Sequence, residues 1–513
     1  MPEASPGGRQ PPILIVGAGP AGLFAACELA RHGIASRVVE QRPAPHRNAR
    51  ATAIQPAGLE LLARAGVLAP FLERSVHVRR TRFVGPGFQE VGVSSFAGIG
   101  CAHEYQCSLP QWQTEATLLD HFHGLGGRIE RGVTVLSVED AADGLRVALR
   151  RPDGQVETTW VRFLLGAGGA RSITRRSMNE ALDGQTYAGR FLVADLCVDV
   201  PHEPETSMLF VAADGFVLLA PLPENRWICF ISLGDEASLA SFAEAPELHR
   251  VGAVLNRRIG ADVRARDMRL AAPFNMHKRM APRLADSRRF LMGDAARLSS
   301  PIGGGGLNSA LMDAADIAWK LALVLRGAGL PSLLDSYAVE RGLAGRRVLE
   351  VSDALHRRVA GLVDACAGAG LVPPAGPPDP ARAVAQARAR AMLDVSYAGS
   401  PLVGERIGSG VPRPDGPAPG ERFPDRIRLA GTSHHLLIFG KAAPLNRLRA
   451  RWDGLVSVGD GAAMGFSAAR AGVPGGGAVL VRPDGFVGFR AVPANAAGLE
   501  ALDAHLRSYL APR

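Results

Sequence analysis

This chain has 513 residues. Two of its glycine-rich stretches contain residues that could bind a ligand and support a reaction. The first is PILIVGAGPAGLFAACELARHG, in which Gly17, Gly19 and Gly22 follow an apolar run in the spacing G-x-G-x-x-G. In this spacing the first glycine makes a tight turn, the second lets a pyrophosphate approach the backbone, and the third lets a helix pack closely on a strand. The helix would begin at Pro20 and Ala21, where its N-terminus favours phosphate groups. A glycine turn that serves packing alone is the alternative.

An acidic residue follows this motif at the distance that ribose recognition requires. The second apolar run, ASRVVE, ends on Glu40, about twenty residues beyond the glycines, with Gln41 next to it. A carboxylate there accepts hydrogen bonds from ribose hydroxyls and repels a 2′-phosphate, because both groups are negatively charged. The pattern therefore predicts a tightly bound adenosine of the FAD or NAD type rather than NADP.

The second stretch, FLMGDAARLSSPIGGGGLN, covers residues 290–308. An apolar strand ends at Asp294, Pro301 fixes the chain, and the glycines of 303–306 lead into a helix. A flavin accounts for these features together, because the carboxylate can accept from a ribityl hydroxyl, the bare backbone admits a planar ring, and the helix N-terminus offsets negative charge on the ring. A mobile glycine loop is the alternative. The helix has an apolar stripe with a 3.6-residue period, at Leu307, Ala310, Leu311, Ala314, Ala318 and Leu321.

The segments around these stretches predict an α/β protein with several units. Between 181 and 280 the sequence changes to alternating β-like runs, which predicts an inserted sheet domain and divides the α/β region into 1–180 and 281–355. The Pro/Gly-rich stretches VPPAGPPDP and VPRPDGPAPG lie on either side of a helical run, so we expect a helical segment and linker over 356–410. Residues 411–513 then form a small α/β unit of their own.

Composition excludes several classes of protein. The net charge is +9, but arginines are scattered and aromatic residues make up only 6%, so we expect no nucleic-acid partner. No apolar run approaches the roughly 20 residues that cross a bilayer, and MPEASPGGRQPP lacks the apolar segment of a secretion signal. We therefore expect no membrane association and a cytoplasmic location. The six cysteines lack CxxC spacing and His121 and His123 face apart on a predicted helix, so no metal site is expected.

Three motifs together indicate a known family. They are GAGPAGL at 17–23, GAGGARS at 166–172 and GDAARLSSPIGGGGLNSALMDAADIAWKLA at 293–322. With them the sequence resembles the FAD-dependent aromatic hydroxylases built on the para-hydroxybenzoate hydroxylase fold. The resemblance implies a Rossmann-like FAD-binding domain of the GR2 type, an inserted β-sheet substrate domain and a C-terminal thioredoxin-like α/β domain without redox cysteines. The absence of any cysteine after Cys366 agrees with the last point.

The resemblance also implies roles for single residues. Arg50, Pro301 and Arg297 would contribute to catalysis: Arg50 at the FAD phosphates or the flavin edge unless it forms a surface ion pair, and Pro301 close to the reactive side of the flavin. Gln111 would contact the ribityl or pyrophosphate region, or else cap a helix. The residues expected to bind the cofactor are Gly17, Gly19, Pro20, Ala21, Gly22, Glu40, Gln41, Arg50, Gln111, Gly169, Asp294, Pro301, Gly304, Gly306, Leu307 and Asn308.

Two positions depart from the family pattern. The position before Gly169 is usually aspartate and is Gly168 here. In relatives that acid helps connect flavin and NAD(P)H binding, so its absence implies either slow flavin reduction or a reduction that Arg171 and other groups support. The position after GDAA is usually histidine and is Arg297 here. A fixed cation at this point would favour an anionic reduced flavin or an acidic substrate, or it would be a solvated arginine at the end of a strand.

The activity implied by the resemblance is that of a monooxygenase. NADPH or NADH would reduce FAD transiently, O2 would form a flavin C4a-hydroperoxide, and one oxygen atom would enter an aromatic or polyketide-like substrate by hydroxylation, epoxidation or Baeyer–Villiger insertion. The alternative is a flavin-binding homologue without oxygenase turnover that acts as a ligand-binding partner in a biosynthetic pathway. On either reading we expect a monomer or a homodimer. Five residues of an apolar run either line the substrate pocket or are ordinary sheet core: Met208, Phe210, Phe216, Leu218 and Pro221.

Overall fold

The structure is a computed structural model that describes residues 12–45, 51–233, 246–368, 379–429 and 431–512. Within these ranges the longest helices are the two that follow the second glycine-rich stretch. The helices in chain order are α1 (Pro20–Arg31), α2 (Pro56–Arg64), α3 (Leu68–Arg74), α4 (Gln111–Gly124), α5 (Ile173–Ser177), α6 (Leu248–Ile259), α7 (Gly305–Leu325), α8 (Asp335–Gly368), α9 (Pro380–Arg390), α10 (Asn446–Arg451) and α11 (Ala496–Arg507).

The strands of the described residues form three larger and three smaller sheets. In chain order they are β1 (Ile13–Val16), β2 (Ser36–Glu40), β3 (Ala53–Ile54), β4 (Val76–Val78), β5 (Arg80–Val84), β6 (Glu90–Ser95), β7 (Gln106–Ser108), β8 (Ile129–Arg131), β9 (Thr134–Ala141), β10 (Gly144–Arg150), β11 (Val156–Val161), β12 (Phe163–Gly166), β13 (Asp183–Thr186), β14 (Arg190–Val198), β15 (Thr206–Ala212), β16 (Gly215–Leu222), β17 (Arg226–Leu233), β18 (Ala265–Phe274), β19 (His277–Met280), β20 (Arg289–Leu291), β21 (Arg297–Leu298), β22 (Gly404–Ile407), β23 (His434–Phe439), β24 (Val456–Asp460), β25 (Gly477–Val481) and β26 (Val487–Val492).

The first large sheet is parallel throughout and has the strand order β20-β12-β1-β2-β8. Strands β1, β12 and β20 are almost fully buried, as expected for parallel strands that are covered on both faces. Because all strands point the same way, the glycine motif, Glu40 and the turn with Asp294 lie at one edge of the sheet. The predicted Rossmann-like sheet is confirmed.

The second large sheet has the order β18-β14-β17-β16-β15-β5-β6. Its strands β14 to β18 come from the predicted insertion at 181–280, and α6 covers one of its faces through a shared apolar core. Strands β5 and β6, however, belong to the stretch assigned to the FAD-binding domain. They join this sheet because β5 pairs in parallel with β15, a long-range contact that no local sequence pattern signals.

The C-terminal unit contains a sheet of order β22-β26-β25-β23-β24, in which β23 and β24 are parallel and β25 and β26 form an antiparallel pair. With α10 between β23 and β24 and α11 at the end, this is the thioredoxin-like arrangement. Strand β22 adds to it before the predicted boundary at 411, and helix α8 continues through the predicted boundary at 355. None of the helices that the structure describes is long and apolar enough to cross a membrane.

The C-terminal unit shares one apolar core with the FAD-binding region and does not stand apart from it. Buried ion pairs also cross this contact. Lys320 of α7 donates to Asp316, at 2.7 Å, and to Glu340 of α8, at 2.6 Å, and Arg482 of the C-terminal unit pairs with both Glu340 and Asp484. Three carboxylates and two cations therefore meet in one buried cluster.

The protonation of this cluster follows from its charges. Burial raises the pKa of Asp316 well above its usual value, and the negative Glu340 and Asp484 add to this, although Lys320 opposes it. Burial would also raise the pKa of Glu340, but Arg482 and Lys320 outweigh it and keep that pKa well below its usual value. One proton on Asp316 leaves two negative and two positive groups, so the cluster is neutral.

The Glu340→Gln variant should therefore lose about 3–5 kcal/mol of unfolding free energy, because it leaves two buried cations with a single ionised carboxylate, that of Asp484, beside the protonated Asp316. The Asp316→Asn variant should lose less than about 1.5 kcal/mol, since asparagine has nearly the shape of the protonated acid. Urea unfolding of both variants at pH 7 measures the difference. Equal losses in the two variants would contradict the protonation that we assign.

Candidate active site

The candidate active site lies at the carboxyl edge of the parallel sheet. The backbone N–H of Gly17 donates to the carbonyl of Val39, and that of Met292 donates to the carbonyl of Gly166. Strands β1, β12 and β20 thus end side by side, and the turns that follow them form one surface. In open α/β sheets this edge is where ligands bind.

The three glycines of the first motif differ in what surrounds them. A Cβ added to Gly17, whose φ is +107°, would lie 2.4 Å from the carbonyl oxygen of Ala167, and one added to Gly22 would lie 1.9 Å from that of Gly17. These two positions are closed by backbone. A Cβ on Gly19 would meet none of the described residues within 4 Å, so among them this glycine faces open space beside the start of α1. Gly19 is the N-cap of α1, and no side chain caps it.

Glu40 extends from the end of β2 toward this loop. Its carboxylate oxygens accept from the backbone N–H of Ala18, at 2.9 Å, and from that of Arg42, at 3.0 Å. The side chain is half-buried, whereas the adjacent Gln41 is exposed. The carboxylate is therefore fixed beside the glycine loop and retains lone pairs for ribose hydroxyls.

The second glycine run forms the other wall of the site. Gly303 and Gly304 have φ values of +97° and +65°, which side chains rarely adopt, and α7 starts at Gly305. The first turn of α7 has neither a side-chain cap nor an acidic residue. Its amide groups at Gly306 therefore present a positive helix end, as the sequence predicted.

Asn308 anchors this turn through its side chain. Its Oδ1 accepts from the backbone N–H of Gln55, at 2.8 Å, and its Nδ2 donates to the carbonyls of Ala53 and Gly304, at 2.9 and 2.7 Å. The side chain is thus fully occupied within the protein. Only the backbone of Leu307 and Asn308 would be available at the edge of a flavin, which is the contact that the resemblance implied.

Gln55 is a site residue that the sequence reading missed. Its Nε2 donates to the carbonyl of Gly303 and to Gln106, both at 3.0 Å, while its buried Oε1 has no partner among the described residues. It stands at the junction of β3 and α2, directly before Pro56. A buried amide oxygen beside the glycine run suits a ligand N–H group, but a single glutamine before a proline gives no such signal in sequence.

Asp294 is exposed in the short turn after β20, at the edge where the sequence placed it. Contacts with helix α7, on the side of the turn away from Asp294, fix its position. The N–H of Gly293 donates to Asp313 of α7, at 2.9 Å, and Arg297 pairs with the same carboxylate through both of its terminal nitrogens, at 2.8 and 2.9 Å. Burial alone would raise the pKa of Asp313, but Arg297 and Arg341 hold it below its usual value.

The interpretation of Arg297 as a solvated strand-end arginine is therefore wrong, because its side chain is only 3% exposed. Its guanidinium lies behind the turn and also donates to Ser309. These contacts make Arg297 a positioning residue for Asp294. A direct contact with flavin or substrate finds no support in its geometry, since the buried carboxylate of Asp313 occupies both of its terminal nitrogens.

The remaining predicted positions are distributed as follows. Gln111 begins α4, and its amide nitrogen donates to Glu115 at 2.8 Å, so a helix-start role is present while contact with FAD stays a prediction. Gly169 has a φ of +70° and faces open space beside the same edge. Pro301 is half-buried next to the glycine run. Arg50 lies outside the described residues.

The five predicted pocket residues divide between the two faces of the second sheet. Phe216 and Leu218 lie on the face that contacts Ile302, the neighbour of Pro301. Met208 and Phe210 lie on the opposite face, in the core under α6, and strand alternation places Pro221 there too. For these three the ordinary-core alternative is correct. The site face instead carries residues of opposite parity in β15, namely Leu209 and Val211.

The residues present fit FAD. One helix end and the open Gly19 suit the pyrophosphate, Glu40 suits a ribose, and a second helix end with bare backbone suits the pyrimidine edge of the ring. The buried oxygen of Gln55 gives this second wall a vacant acceptor. The apolar face around Phe216 contacts Ile302, next to the second glycine run, and suits an aromatic compound.

Comparison with known proteins agrees with this geometry. The FAD binding domain family matches residues 10–352, and the C-terminal domain of aromatic-ring hydroxylases matches residues 401–512. The chain therefore belongs to the FAD-dependent aromatic-ring hydroxylases, which have the para-hydroxybenzoate hydroxylase fold.

Individual relatives have named activities. The 6-methylpretetramide 4-monooxygenase of Streptomyces rimosus is 32% identical over 68% of this chain, and the match spans 62% of that relative's length. The 12-dehydrotetracycline 5-monooxygenase/anhydrotetracycline 6-monooxygenase of Streptomyces rimosus subsp. rimosus is 29% identical over 98% of this chain and 99% of its own. A ternary complex of aklavinone-11 hydroxylase with FAD and aklavinone is 26% identical, with a TM-score of 0.79 over 98% of this chain and 99% of the other.

The glycines allow a test that separates packing from ligand binding. Gly19→Ala should keep the melting temperature of the apoprotein and weaken FAD binding at least ten-fold, because the new Cβ enters the open space only. Gly22→Ala should lose about 1–3 kcal/mol of stability through overpacking. Fluorescence titration with FAD and thermal unfolding measure the two effects.

Gly124→Ala serves as the matched control, since its Cβ would also meet nothing within 4 Å and it lies at the far end of α4. We expect Gly124→Ala to lower neither the affinity for FAD nor the stability of the protein. An unchanged FAD affinity in Gly19→Ala would show that the phosphates bind elsewhere.

Proposed function

We propose that this protein is an FAD-dependent monooxygenase that uses NADPH or NADH and inserts one oxygen atom from O2 into an aromatic or polyketide-like substrate. The observation that carries the proposal is that two uncapped helix ends and an open glycine position lie at one sheet edge, with an apolar sheet face contacting Ile302 beside the second helix end. The relatives named as monooxygenases of 6-methylpretetramide, 12-dehydrotetracycline and anhydrotetracycline support a polycyclic substrate. Hydroxylation is the favoured outcome, and epoxidation or Baeyer–Villiger insertion needs the same site.

The residues of this chain bind and orient the cofactor. The start of α1 would take the pyrophosphate, Glu40 a ribose, and Asp294 the ribityl chain, since each lies at the same sheet edge. The start of α7 would stabilise negative charge at the pyrimidine edge, because its amides are uncapped. FAD, when bound, supplies the redox chemistry between the nicotinamide, O2 and the substrate.

The sheet face around Phe216 and Leu218 would hold the substrate ring and exclude water. Phe191, Leu209 and Val211 extend this face, and Leu355 of α8 packs against it. Excluding water matters because it keeps activated oxygen from being lost before transfer. The protein's part is thus to position an apolar ring and to keep the site dry.

A test of the function uses the FAD-loaded protein. We expect NADPH or NADH to bleach the flavin absorbance in anaerobic stopped flow, faster when a tetracyclic phenol such as anhydrotetracycline is present. We also expect the aerobic product to gain one oxygen atom, about 16 mass units under ordinary O2 and about 18 under O2 labelled with oxygen-18. The proposal would be overturned if no polycyclic phenol led to flavin reduction or to incorporation of oxygen. Such a result would instead favour the flavin-binding partner that lacks turnover.

Gly168 gives a second test, because relatives usually have aspartate there. Its φ of −76° suits any residue, and an added Cβ would come no closer than 3.7 Å to Ser172. Gly168→Asp should therefore fold normally and reduce faster with NADPH, by about ten-fold, if the missing acid limits reduction.

Gly168→Asn is the matched control, since it has the same size without the charge. Stopped-flow reduction at saturating NADPH measures both variants. A rate in Gly168→Asp that is unchanged or lower would show that this chain reduces its flavin without an acid at this position.

A further inference from the structure

Two buried arginines share one buried carboxylate next to the turn that carries Asp294. Arg297 donates to both oxygens of Asp313, and Arg341 donates to its Oδ1 at 2.7 Å. Asp313 and Arg341 are fully buried, and Arg297 is only 3% exposed. Within the described part of the chain, Asp313 is the only carboxylate that pairs with either arginine. The three side chains together therefore carry one unbalanced positive charge.

The groups around these three side chains leave the unbalanced charge in place. Two neighbouring phenols, Tyr337 and Tyr397, stay neutral because burial raises the pKa of each. The next carboxyl group along α7, that of Asp316, belongs to the cluster that is neutral by the protonation assigned above. The carboxylate of Asp294 lies on the exposed side of the turn, where solvent screens it more than it screens buried charge.

This unbalanced charge lies beside the first turns of α7. Arg297 donates to the hydroxyl of Ser309 at 2.6 Å, and Arg341 donates to its carbonyl at 3.3 Å. Ser309 stands about 6 Å along the helix axis from Gly305, the first residue of α7, since each residue rises about 1.5 Å. The uncapped N–H groups at this helix start already favour negative charge. The two arginines add a full positive charge close to them.

A ligand that becomes negative beside the start of α7 would be stabilised by this charge. In the proposed reaction, hydride transfer carries two electrons and one proton from NADPH or NADH to FAD. The products are the oxidised nicotinamide and a reduced flavin whose pyrimidine edge carries one negative charge. Because the ring of oxidised FAD is neutral, a cation near that edge stabilises the reduced form more than the oxidised form.

We propose that Arg297 raises the reduction potential of bound FAD through the unbalanced charge that it shares with Arg341 and Asp313. The inference rests on the proposed function, to which it adds a residue that acts on the flavin without touching it. Histidine, which relatives usually have at this position, loses its charge near neutral pH, whereas arginine keeps it. A higher potential favours hydride transfer to the flavin and would offset the missing acid at Gly168.

The test compares how tightly the protein binds oxidised and reduced FAD. Fluorescence titration gives the affinity for oxidised FAD, and anaerobic reduction of the FAD-loaded protein by dithionite beside a reference dye gives the midpoint potential. A residue that merely shapes the site changes both affinities together and leaves the potential unchanged. A residue that acts through its charge changes the affinity for reduced FAD selectively. A ten-fold selective change corresponds to about 30 mV for this two-electron couple.

We expect Arg297→Gln to weaken the binding of reduced FAD selectively by ten-fold, which lowers the potential by about 30 mV. This variant should fold, since Asp313 and Arg341 remain as a balanced pair. Arg297→Lys keeps the charge and should stay within three-fold of the wild-type ratio, about 14 mV. Arg326→Gln is the matched control, because it removes an exposed arginine at the far end of α7, about 30 Å from the helix start, and should leave the potential unchanged.

A selective change of less than three-fold in Arg297→Gln would overturn the inference, and so would an equal drop in Arg297→Lys or in Arg326→Gln. If Arg297→Gln does not fold or does not bind FAD, Arg341→Gln decides, because it removes the other arginine of the same carboxylate. A selective loss of three-fold or more in Arg341→Gln supports the inference, and a smaller one overturns it. Dithionite reduces the flavin without nicotinamide, so a protein without turnover would refute the proposed function and leave these potentials measurable.

Discussion

The buried carboxylate of Asp313 is the interaction on which the geometry of the active site depends. It accepts from the backbone of Gly293 and from two guanidinium groups, Arg297 and Arg341, and so joins the turn after β20 to helices α7 and α8. An ionised group without these partners would be too costly to bury. Because the partners come from separate elements, the position of Asp294 and the start of α7 are fixed relative to each other before any ligand binds.

The second constraint is that bare backbone must face the ligand at two places. Gly17 and Gly22 are needed because the loop and helix of the first motif touch through main-chain atoms, whereas Gly19 faces open space. At the second place two glycines take left-handed conformations and deliver an uncapped helix end. The two helix ends favour a ligand that is negatively charged at one end and flat at the other, and this combination distinguishes a flavin dinucleotide from a simple nucleotide.

The C-terminal unit takes part in this arrangement although it has no redox cysteines. Glu340 and Glu60 each hold arginines of that unit inside the protein, and its apolar core continues into that of the FAD-binding region. The connector between them carries Arg390 and Met392 to a narrow cleft beside the glycine run. A thioredoxin-like domain here therefore braces helices α7 and α8 and positions the connector, which is a packing role that needs no thiol chemistry.

The dinucleotide motif, Glu40, the glycine run, the apolar stripe of α7 and the family can all be predicted from the chain's residues, because each is a local pattern with a fixed period or spacing. Which side chains face the site depends on how distant segments pack together. The hairpin between β15 and β16 pairs Phe210 with Val217, so residues of opposite parity share a face, and Met208 and Phe210 point away from the site. Arg297 and Arg390 look alike in sequence, yet Arg297 meets the buried carboxylate of Asp313, whereas Arg390 meets no carboxylate among the residues that the structure describes. Arg297 and its partner Asp313 are 16 residues apart, whereas Arg390 and its partner Thr81 are 309 residues apart. The spacing of residues along the chain carries no information about either contact.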